Sequence, residues 1–79
     1  MNAVAYDKYQ KMILNVLMRK MGPAANDFAV DLGNNVGIPF HKAAPDNVSR
    51  FAERIEVDAT RFVSEKDAKF MANVIRKLK

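Results

Sequence analysis

The sequence predicts an all-α fold: a compact bundle of four short helices with short connections, forming a single domain over residues 1–79. Three observations predict it. Apolar residues recur three and four positions apart in four separate segments, the period of a helix with one buried face. Proline and glycine punctuate the chain, above all at Gly22-Pro23 and from Gly37 to Pro39. The 49% apolar content over 79 residues is ordinary for a globular protein, and so short a chain has room for one shared core.

The first helix is expected from Ala3 to Met21. Tyr9, Met12, Ile13, Val16 and Leu17 make its main apolar stripe, and Lys8, Lys11, Asn15 and Arg19 gather opposite. Leu14, Met18 and Met21 form a second apolar stripe, so two faces of this helix seek burial. Gly22-Pro23 ends it and starts the second helix, because proline at the first helical position lacks only an N–H that would be unpaired anyway.

In the second helix Ala24, Phe28, Leu32 and Val36 follow at i, i+4 spacing, with Asn26, Asp27, Asp31 and Asn34 outward. Gly37 suits a left-handed cap, and Pro39 prevents continuation. An irregular stretch from Gly37 to Ala44 carries Ile38, Phe40 and His41. The third helix is expected from about Pro45-Asp46, with Val48, Phe51, Ala52, Ile55 and Ala59 inward. Ser64 with Asp67 reads as a capping box, and Val63 with Ala68 as a hydrophobic staple. The last helix then runs to the terminus, burying Ala68, Met71, Val74, Ile75 and Leu78. The expected core is Tyr9, Ile13, Val16, Leu17, Phe28, Leu32, Phe51, Ile55, Met71, Ile75 and Leu78.

With no cysteine, disulfides, thiolate zinc sites and cysteine nucleophiles are excluded. Asp7 and Lys8 precede the first apolar run, and the stretch from Met12 to Met18 is too short to span a bilayer. A cytoplasmic protein without membrane association is therefore expected. No metal, cofactor or small-molecule substrate is expected either. His41 stands alone without partners for catalysis. Asp27 and Asp31 share a face but offer two carboxylates where a hard cation wants more oxygens. Gly33 and Gly37 lack the lysine and the preceding strand of a phosphate loop. Ala29 and Gly33 have helix-turn-helix spacing, yet the connection through Pro39 is too long for that motif. An enzyme is not expected.

Two surfaces remain. Leu14, Met18 and Met21, with Phe40 from the irregular stretch, are the candidate protein-binding residues. Methionine adapts to varied partners, so another protein or a second copy of the chain is the expected ligand. The second surface follows from charge. The net charge is +4, and from Lys66 to Lys79 five basic residues stand against one acidic residue, the rest of the chain being balanced. Lys66, Lys69, Asn73, Arg76 and Lys77 fall on one helical face and are the candidate nucleic-acid-binding residues. No aromatic residue reads as interleaved with this stripe, as single-strand binders usually require, and cations favour a helix C-terminus in any case. Nucleic-acid binding is thus the alternative function.

The Met21-Gly22-Pro23-Ala24-Ala25 junction resembles one found in small all-helical domains at the ends of some bacterial signalling and regulatory proteins. So does the closing Arg61-Phe62-Val63 that leads into Phe70-Met71 and Ile75-Arg76-Lys77-Leu78. The resemblance implies a helical interaction or dimerisation module and carries over no catalytic residue. The expected function is a non-enzymatic regulatory interaction module.

Overall fold

A computed structural model describes residues 6–78, and among them it is helical with no strand. The helices are α1 (Lys8–Met21), α2 (Ala25–Val36), α3 (Val48–Asp58) and α4 (Glu65–Arg76). Single turns of 3-10 helix at Gly22–Ala24, Phe40–Lys42 and Ala59–Arg61 stand in the connections. No helix of the described residues is long and apolar enough to cross a membrane.

The N-terminal boundary moves. The expected start at Ala3 lies outside the described residues, and α1 begins at Lys8 because Asp7 caps it. Asp7 Oδ1 accepts from the Gln10 N–H at 2.9 Å, and Gln10 Oε1 accepts from the Asp7 N–H at 3.0 Å. Two otherwise orphaned helix-end donors are satisfied reciprocally. At α4 the expected box is only half formed. Ser64 Oγ accepts from the Asp67 N–H at 3.1 Å, but the Asp67 carboxylate turns to Lys20, 3.5 Å away.

α1 and α4 run antiparallel. Tyr9, early in α1, donates its hydroxyl to the Leu78 carbonyl at 3.3 Å, while Lys20, late in α1, meets Asp67 at the start of α4. The most extensive helix pairing is α3 with α4. Alanine at positions 52, 59, 68 and 72, all fully buried, keeps that core thin and brings the backbones close. Around it Ile13, Leu17, Leu32, Phe51, Ile55, Met71 and Ile75 are sealed from solvent, as the helical period requires. Tyr9, Val16 and Leu78, expected in the core, instead lie half-buried at its edge.

The segment after α2 departs most from expectation. Gly37 adopts the left-handed conformation (φ 87°), and its N–H and that of Ile38 both bond the Gly33 carbonyl, at 2.9 and 3.1 Å. The chain then doubles back across Gly33 itself. A Cβ there would sit 2.7 Å from the Phe40 nitrogen and 2.9 Å from the Ile38 oxygen. This close approach delivers Phe40 into the core, 4% exposed, where its ring meets Tyr6 and Phe51 edge-on at 5.2 and 6.1 Å. Phe40 is therefore a core residue and not a surface contact.

Gln10 locks the same segment from the other side. It is the buried polar side chain of the described core, 3% exposed, and its Nε2 donates to the His41 and Ala43 carbonyls at 2.6 and 3.0 Å. Asn47 finishes the turn by accepting from the Ala44 N–H and donating to the Lys42 carbonyl, at 2.8 and 3.1 Å. Because Asn47 bonds backward, α3 starts at Val48 and not near Pro45.

Three outcomes follow. Gly33→Ala should cost about 1–3 kcal/mol, since the obstructing atoms are backbone and the loop must shift. Urea unfolding measures this, with the midpoint falling and the slope unchanged. Gln10→Ala should cost about 1–3 kcal/mol for each carbonyl left unpaired out of water. Burial raises the Tyr9 pKa above its ordinary 10.0. Its contribution is complete below pH 10, where folded and unfolded chains both hold the proton, and declines as pH climbs through 10 towards the folded value. Comparing Tyr9→Phe with the wild type between pH 8 and pH 11 (roughly the range that brackets a tyrosine) should show a smaller alkaline loss in the variant.

Candidate functional site

The second stripe of α1 does not stand free. Ile13 and Leu17 take the core side of the helix, and Leu14 and Met21 are half-buried against that core. Met18 alone of the three is open, 52% exposed. With Phe40 inside the protein, the four expected protein-binding residues are not brought together as one surface.

The basic face of α4 is free to solvent. Lys66, Lys69, Asn73, Arg76 and Lys77 are all exposed, opposite the buried Ala68, Met71, Ala72 and Ile75. Its members are not equivalent. Arg76 Nη2 pairs with Glu56 Oε2 of α3 at 2.6 Å, while Nη1 donates to Asn73 Oδ1 at 2.8 Å. This tie fixes Arg76 against α3 and occupies the Asn73 oxygen. Lys66, Lys69 and Lys77 form no ion pair among the described residues.

An aromatic side chain does interleave with this face. Phe70 follows Lys66 by four residues, precedes Asn73 by three, and is 56% exposed. From α1, Lys20 Nζ reaches over its ring, 5.7 Å from the centroid. The face thus extends across the α1–α4 seam. It does not join the arginines of α3. Glu56, Val57 and Glu65 border Lys66 and Lys69 on that side, and Arg54 is held by Asp58 at 2.9 Å.

A cleft of about 620 Å³ lies between α2 and α3. Phe28 and Leu32 form its floor. Phe62, just past the turn that ends α3, makes an aromatic wall: its ring meets that of Phe28 edge-on at 5.7 Å, and 52% of it remains exposed. Asp58 Oδ2 accepts from Asn35 Nδ2 and from Arg54 Nε, both at 2.9 Å, which binds the end of α2 to α3. Asp27 and Asp31 stand exposed along the cleft on one side and Arg61 on the other.

The sequence places Asp27 and Asp31 outward, and it offers Phe62 only as part of the closing segment that carries the resemblance. No local signal pairs them, since the cleft is made by tertiary packing. Phe70 was accessible to the same helical period that found the lysines. His41 is exposed, and its backbone carbonyl, not its ring, serves the Gln10 tie. Among the described residues no three His, Asp or Glu side chains converge in a way that would hold a metal ion. Comparison with family models, with curated proteins and with solved structures finds no match to this chain.

Proposed function

We propose that this chain is a non-enzymatic, regulatory protein-interaction module that receives a partner's segment in the α2–α3 cleft. One observation carries the reading: Phe62 stays half exposed beside the apolar Phe28 and Leu32, with the exposed carboxylates of Asp27 and Asp31 alongside. An aromatic side chain that a partner buries, ringed by polar groups, is the pattern of interaction hot spots. The groups lining the cleft are carboxylates, amides, guanidinium groups and rings, all suited to binding. Asp27 and Asp31 select a partner segment whose apolar side chain is flanked by lysine or arginine.

Magnitudes divide the labour. Exposed ion pairs are worth about 0–1 kcal/mol each, whereas an aromatic anchor at a hot spot contributes about 2 kcal/mol or more. Phe62 and Phe28 therefore supply the affinity, and the carboxylates supply orientation. The reading agrees with the resemblance of the Gly22-Pro23 junction to regulatory domains, and it moves the docking surface from α1 to the cleft.

A synthetic peptide with one leucine between arginines tests it, titrated into isotopically labelled protein. Amide shifts should concentrate in residues 27–35 and 54–62. Phe62→Ala should weaken binding about tenfold or more, equivalent to about 1.4 kcal/mol. Asp31→Lys should weaken it less and flatten its salt dependence. Shifts centred on α1, or equal binding by the Phe62 variant, would refute the proposal.

A further inference from the structure

We infer that the exposed face of α4, completed by Lys20 of α1, binds single-stranded nucleic acid, with Phe70 as the stacking platform and lysines as phosphate contacts. The cleft takes no part, so this inference stands independently of the proposed docking site.

An α-helix buried on one side has every reason to place a polar residue at its outermost position, and α4 does so at positions 66, 69, 73, 76 and 77. The exposed ring of Phe70 breaks that rule in the middle of the cationic face. Lys66 lies one turn before it and Lys77 two turns after, so the cations span about 16 Å of helix at 1.5 Å per residue. Lys20 adds a cation from the neighbouring helix directly over the ring. Flat rings flanked by a row of cations suit a ligand that alternates planar groups with negative charge, which is the chemistry of an unpaired polynucleotide strand. A duplex offers the charge without the uncovered base faces.

The accounting of charge sets the strength. Arg76 is occupied by Glu56, and Lys20 is shared with Asp67, which leaves Lys66, Lys69 and Lys77, without an ion pair among the described residues, as the phosphate partners. Each phosphate neutralised on a single strand contributes about 0.7 to the slope of log affinity against log salt, so three give a slope of about −2. Affinity should then fall roughly twentyfold between about 50 and 200 mM salt. Alanine in place of a stacking aromatic costs about tenfold or more per base.

The experiment uses fluorescent oligothymidylate of about twelve nucleotides, within the span that single-strand binders cover, and a duplex of equal length. The expected result is measurable binding of the single strand with the salt slope above, and weaker binding of the duplex. Phe70→Ala should lose about tenfold in affinity and keep the slope, because stacking carries no counterions. Lys66→Glu with Lys69→Glu should flatten the slope. Val30→Ala, which removes another exposed apolar side chain on a remote helix, should change nothing. Circular dichroism verifies that each variant is folded. Three results would overturn the inference: no binding at low salt, binding by Phe70→Ala equal to wild type, or equal competition by polyglutamate, which would mark a face for acidic proteins.

Discussion

The Gln10 amide holds together parts of the chain that have no other reason to meet. Its oxygen completes the cap of α1, and its nitrogen reaches two carbonyls of the segment between α2 and α3. Left alone, that segment would have to present its His41 and Ala43 carbonyls to water, because its single 3-10 turn pairs only those of Pro39 and Phe40. Bonded to Gln10, it lies against the bundle and carries Phe40 between Tyr6 and Phe51. The side chain is satisfied at every polar atom, so its burial costs little while removal of either end is expensive. The path of the connection and the seat of Phe40 both depend on it.

The outward surfaces follow from the same packing. α2 ends where Gly33 lets the backbone recross it, and Asn35 is thereby set against Asp58 at the far end of α3. The gap left between these helices is the cleft. On the opposite flank α1 and α4 are drawn together by Tyr9 at one end and Lys20 at the other, which joins a lysine of α1 to the basic face of α4. Two chemically different surfaces, one mixed and concave and one cationic and convex, thus arise on a body of 32 × 27 × 21 Å.

Much of the fold was legible in the sequence. The helical period identified Ile13, Leu17, Phe28, Leu32, Phe51, Ile55, Met71 and Ile75, because burial on a helix is a local property repeated every turn. Gly37 as a left-handed cap and Ser64 as an N-cap were equally local. Asp7 escaped notice as a cap because Ala3-Val4-Ala5-Tyr6 before it extends the apparent helix. Phe40 escaped because a residue outside regular structure has no period to read, and its burial rests on a contact with Gly33 seven residues earlier. Of the two proposed surfaces, the lysines of α4 were readable and the ring among them was readable by the same rule. The cleft was not, since Phe28, Phe62 and Asp58 meet only through tertiary packing.

Lys20 gives the α4 face an occupant of its own. Its ammonium group rests between the Asp67 carboxylate and the Phe70 ring, so that ring is partly shielded in the unbound protein. An exposed cation–π contact is worth about 0.5–1 kcal/mol, a two- to fivefold factor in an equilibrium. A ligand that lies on the ring must displace this internal competitor, and a ligand that also carries negative charge gains it as a partner. An apolar group that settles on Phe70 must therefore displace a cation first, which makes this exposed ring less adhesive than its area alone would make it.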